Sequence, residues 1–84
     1  MHIYMQTPPG DDRPPRFYHL ILQRDLLGGW SLVREWGTQG SGGRMLRDHH
    51  PDRDEATTAM MRIRDEQLRR GYRVVFFEGE QLSE

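Results

Sequence analysis

The chain has 84 residues, no cysteine and a formal net charge of −1. That length suits one domain, and the lack of cysteine excludes disulfides, thiolate metal sites and a cysteine nucleophile. All twelve cationic side chains are arginine, so the balance excludes a strongly basic nucleic-acid binder but leaves a planar fork suited to phosphate wherever one is presented.

No apolar run approaches the roughly 20 residues that span a bilayer. The start, Met1 to Gln6, is too short and polar for a secretory signal. The expectation is a cytoplasmic protein with no membrane partner. The charge is unevenly spread: residues 62–73 hold five arginines against two acids, and residues 78–84 hold three glutamates and no cation. A basic helix end thus precedes an acidic tail.

Residues 3–6 read as a short strand. Residues 7–15 contain four prolines, which remove four backbone donors, and Gly10; they read as a loop. Arg16 to Arg24 reads as a strand with Phe17, His19 and Ile21 on one face and Tyr18, Leu20 and Leu22 on the other. Leu27-Gly28-Gly29 supplies a turn. Trp30 to Gly37 returns as a hairpin partner, with Trp30, Leu32, Arg34 and Trp36 on one face and Ser31, Val33 and Glu35 on the other. Gly37, Gly40, Gly42 and Gly43 crowd a second loop, which leads to a strand over Arg44–Asp48.

Asp52, with Glu55 three residues on, signals a helix start in a capping-box arrangement. Asp54 and Glu55 in the first turn and Arg69 and Arg70 in the last oppose the helix dipole. Ala56, Ala59, Met60, Ile63 and Gln67 share one side, and Gly71 stops the helix. A helix over 53–70 would be roughly 27 Å long, enough to cover one face of a small sheet. Tyr72 to Phe77 is the last strand, and 78–84 is expected to be a loose acidic tail. The whole reads as a single α+β domain, 1–84: a small antiparallel sheet with one helix packed across one face, a core over 3–77, and a proline-rich loop at 7–15.

Phe17-Tyr18-His19-Leu20, then Gly29 through Gly37 with its Trp36-Gly37 pair, then Gly40-Ser41-Gly42-Gly43, and finally Gly71-Tyr72 after the helix resemble the WGR domain. The likeness covers residues 3–77 and is closest to short bacterial proteins that consist of this domain alone. Two positions depart from the family pattern. Thr38 stands where the family has the arginine that names it, and Gln67 stands near a frequent lysine. Both departures remove positive charge. The resemblance implies binding to DNA: in poly(ADP-ribose) polymerases the domain contacts a DNA break end, its motif tryptophan packing on the terminal sugar.

On that resemblance the candidate nucleic-acid-binding residues are Trp36, Gly37, Arg34, Arg44, Arg47 and Arg73. Trp36, at a strand end beside a glycine-rich loop, offers a flat face to a sugar or base, or else packs on the helix. Arg34 shares its face and suits phosphate, or else pairs with an acid. Arg44, six residues beyond Thr38, offers a cation in place of the one missing there, Arg47 follows it, and Arg73 is an accessory. Adjacent His49 and His50 point to opposite faces, which disfavours a shared metal ion. Gly37 to Gly43 matches neither common nucleotide fingerprint. No serine sits in a nucleophile motif. The expectation is therefore no enzyme, no cofactor and no small-molecule substrate. Two functions remain: recognition of DNA ends or nicks through sugar and phosphate, or a protein-interaction domain, homodimerising or not, that uses an exposed sheet face or edge.

Overall fold

Five strands and one helix follow one another along the chain: β1 (His2–Gln6), β2 (Arg16–Arg24), β3 (Trp30–Thr38), β4 (Arg44–His50), α1 (Arg53–Arg69) and β5 (Arg73–Glu78). They are seen in a computed structural model that describes residues 1–10 and 12–79. Asp11 of the expected loop and residues 80–84 of the expected tail lie outside the described residues. The strands form one antiparallel sheet in the order β4-β3-β2-β1-β5. The architecture is α+β, with α1 across one face.

The β2–β3 hairpin is the longest ladder, pairing Arg16 with Thr38 at one end and Arg24 with Trp30 at the other. Asp25 builds its turn. One carboxylate oxygen accepts from the Leu27 amide at 3.0 Å; the other accepts from the Ser31 hydroxyl at 3.1 Å and meets the His49 ring nitrogen at 3.0 Å. These bonds hold the Asp25 carboxyl below its ordinary value, the Leu27 amide first, then His49 and Ser31.

Alternation along β2 decides which face is covered. Tyr18, Leu20 and Leu22 are buried with Ile3, Met5 and Leu32 beneath Ala56 and Met60 of α1. Leu20 is fully buried, and truncation to alanine at such a site costs about 2–5 kcal/mol. Trp30 packs against this core with the Arg24 guanidinium 5.3 Å from its ring centre.

Asp52 caps α1, its side chain accepting from the Glu55 amide at 2.8 Å. The capping box is not reciprocal, because the Glu55 carboxylate meets the His50 ring at 3.1 Å instead. Gly71, at φ +98°, ends the helix in a conformation that side chains resist. The Tyr72 amide then bonds the Gln67 carbonyl at 3.0 Å, folding the chain back toward β5.

Among the described residues no helix lies on the opposite face of the sheet. His2, Tyr4, Phe17, His19 and Phe76 form an aromatic row across it, with Tyr4 stacked on Phe17 and Phe76 edge-on to His2. The ring nitrogens of His2 and His19 are in hydrogen-bond contact. Among the described residues no helix is long and apolar enough to cross a membrane.

Candidate nucleic-acid interface

Trp36 lies two residues before the end of β3, on the helix-covered face. The register sets Tyr18 beside it on β2 and Arg44 beside it on β4. Its ring stacks on Tyr18, with centres 5.5 Å apart and planes 11° from parallel. Tyr18 in turn meets Tyr72 edge-on at 5.9 Å. The aromatic platform is therefore buttressed from below, while Trp36 itself is only partly buried.

A groove of about 410 Å³ opens beside this platform, lined by Trp36, Tyr18 and Tyr72 together with Arg16, Arg34, Arg70 and Glu66. Arg34 stands 6.0 Å from the Trp36 ring centre, a cation–π contact of about 0.5–1 kcal/mol where solvent reaches it. Its guanidinium pairs with Asp48 at 3.4 Å, and its Nε is buried without a hydrogen-bond partner among the described residues. Such a donor costs about 1–3 kcal/mol until an acceptor reaches it.

The structure brings Arg34, Trp36 and Arg44 to one face, and separates Arg47 and Arg73 from them. Arg47 pairs with Val33, which alternation puts on the open face. Arg73 pairs with Gln6 on that same open face, at the far edge of the sheet. The expectation that these two arginines join the Trp36 site is corrected on that ground. Gly37 serves close packing: a Cβ there would lie 2.9 Å from the Gly43 Cα, and one on Gly43 would lie 2.6 Å from the Trp36 carbonyl oxygen. The glycines let the β3–β4 loop fold tightly against the strand that carries Trp36. His49 bonds Asp25 and His50 bonds Glu55, so the two rings turn to different partners.

Two arginines that the sequence does not mark as site residues belong to the groove. Arg16 is the cross-strand partner of Thr38, so β2 supplies a cation next to the threonine. Arg70, at the end of α1, comes in from the helix next to the buried Gln67.

The family model for the WGR domain matches residues 1–77. The chain belongs to the WGR domain family. Among curated proteins it is similar to the uncharacterized protein y4dW of Sinorhizobium fredii (strain NBRC 101917 / NGR234), with 29% identity over 71 residues. That alignment takes in 84% of this chain and 35% of the relative, so this WGR chain spans about a third of the relative's length. No solved structure matches it.

Proposed function

We propose that this WGR domain binds nucleic acid through the Trp36 groove, taking the sugar and phosphates at a DNA end or nick without reading sequence, and that it acts as a binding module and not as an enzyme. The observation that carries this reading is the convergence of Arg16, Arg34 and Arg70 on one groove that a half-buried, buttressed tryptophan also lines. A flat ring stacks on a sugar or a terminal base, and arginine forks take phosphate oxygens in pairs.

Membership of the WGR family supports nucleic acid as the ligand. Thr38 in place of the family arginine does not empty the neighbourhood of charge, because Arg16 stands across the ladder from it and Arg44 across from Trp36. Glu66 on the groove wall opposes phosphate and favours modest affinity.

Fluorescence anisotropy with nicked, blunt-ended and single-stranded DNA at two salt concentrations tests the proposal. The expected dissociation constants are roughly 1–100 µM, weakening with salt. Nicked and blunt-ended duplexes should bind more tightly than an uninterrupted circle. A folded sample that binds none of these DNAs at low salt would remove the reading.

A further inference from the structure

β5 closes one end of the sheet, and no strand among the described residues pairs with its outer edge. Its four central residues, Val74, Val75, Phe76 and Phe77, are 42–59% exposed, with one cation before them and one anion after. An unpaired apolar edge is a template for another strand.

In a regular strand Arg73 and Glu78, five residues apart, would stand on opposite faces. The pairing with β1 is irregular, however. Gln6 meets Arg73 and Met5 meets Val74, but Tyr4 meets Phe76, Ile3 meets Phe77 and His2 meets Glu78. Val75 is the extra residue, and it reverses the alternation. Arg73 and Glu78 therefore share the open face, and Val74 and Phe77 share the helix-covered one.

That reversal makes the edge complementary to itself. Antiparallel pairing about a two-fold axis between Val75 and Phe76 sets Arg73 of one copy opposite Glu78 of the other, and Val74 opposite Phe77. Each of these pairs falls on a common face, as a ladder requires. Without the bulge, the same register would set residues of opposite faces against each other.

We propose that β5 is a self-docking edge, on which a second copy of this chain adds its own β5 antiparallel. Two sheets then continue as one across the two-fold axis, closed at each end of the joint by an Arg73–Glu78 pair. Glu78 remains reachable, since its side chain is 59% exposed and the His2 ring nitrogen stands 4.0 Å from the carboxylate. A six-residue edge buries less than the area of about 1,200 Å² typical of stable complexes, so the dimer is reversible and concentration-dependent. The inference does not rest on the nucleic-acid reading, because the edge lies beyond β1 from the strands that build the groove.

Sedimentation equilibrium without nucleic acid tests it on the wild type, Arg73→Glu, Glu78→Arg and the double charge swap. The wild-type mass should rise from monomer toward dimer with concentration. Each single change sets like charges opposite each other twice and should weaken association about fivefold. The double swap should restore it to within about twofold. Circular dichroism checks that each variant is folded. Concentration-dependent slowing of hydrogen exchange at β5 amides in the wild type gives a readout that needs no variant. A wild type that stays monomeric into the millimolar range, or a double swap no better than the singles, would overturn the proposal.

Discussion

The two edges of the sheet are built from opposite materials. β4 carries charge or imidazole at Arg44, Arg47, Asp48, His49 and His50, five of its seven residues. Three of these are tied to neighbouring side chains: Asp48 to Arg34, His49 to Asp25, His50 to Glu55. Charge along an edge discourages a second chain from pairing there. β5 confines its charge to the two ends and leaves four apolar residues between them. A net charge of −1 is therefore an average over two unlike regions, a charged edge near an arginine-lined groove and an apolar edge across the sheet. The two proposed interactions centre on different strands, and Tyr72, which lines the groove, directly precedes Arg73 of β5.

The sharpest way to break the contrast is Trp36→Ala. Loss of one stacking contact of about 1–3 kcal/mol should weaken binding to nicked DNA roughly 5- to 150-fold. Self-association in the same sample should hold. Val75→Lys gives β5 the character of β4 and is expected to abolish self-association by sedimentation, with the melting temperature little changed because Val75 is exposed. Simultaneous loss of both activities in either variant would show that the two regions are not independent.

A smaller effect follows from the groove arginines. Arg16→Ala and Arg70→Ala each remove one cation that faces a phosphate. Each should reduce the slope of log affinity against log salt by about 0.9 in duplex binding. Arg47→Ala, on the other face, should leave that slope unchanged. An equal effect at all three positions would mean diffuse attraction in place of a site.

How far the sequence carried this reading depends on which interaction places each residue. Alternation alone puts Arg34 and Trp36 on one face, and the composition of Phe17 to Leu22 marks the strand beneath them. Arg16 was within reach, because a hairpin turning at 25–29 sets it opposite Thr38, but only once the register is followed to the strand's end. Arg47 lies three residues from Arg44, so continuous alternation already assigns it to the other face. Arg70 could not be placed without knowing how the helix lies across the sheet, a matter of packing between distant segments. The bulge at Val75 was hidden for a similar reason: Tyr72 to Phe77 reads as an unbroken strand, and its irregularity exists only in the pairing with β1.

Next in size is Gly43→Ala. Its new Cβ would meet backbone, the Trp36 carbonyl oxygen at 2.6 Å, and the Phe17 ring at 3.2 Å. Overpacking against atoms that cannot rotate away costs about 1–3 kcal/mol, to be read from urea denaturation. Ser41→Ala, at the exposed tip of the same loop, should change stability by less than about 0.5 kcal/mol.

The smallest effect is the response to acid, and it separates the open face from the hairpin turn. Burial, then the neighbouring His2, hold the His19 ring below its ordinary value of 6.5, with Glu35 opposing them. A folded state that disfavours the proton is most stable above the unfolded value and loses that contribution as pH falls through the folded one. Thermal melts should therefore weaken slightly as pH drops from 7.5 to 5, and His19→Gln should flatten that interval. Asp25 has the same sign in a lower window: its carboxylate contribution is complete above the ordinary 3.8 and fades as pH falls through the lowered value. Asp25→Asn should remove the Asp25 part of the dependence below pH 4 and leave the interval above 5 as in the wild type. Both groups reach solvent, so each slope is shallow, and the comparison of the two variants across the two windows carries the test. If His19→Gln leaves the upper interval unchanged, burial and the neighbouring His2 do not hold the His19 ring below its ordinary value in the folded state.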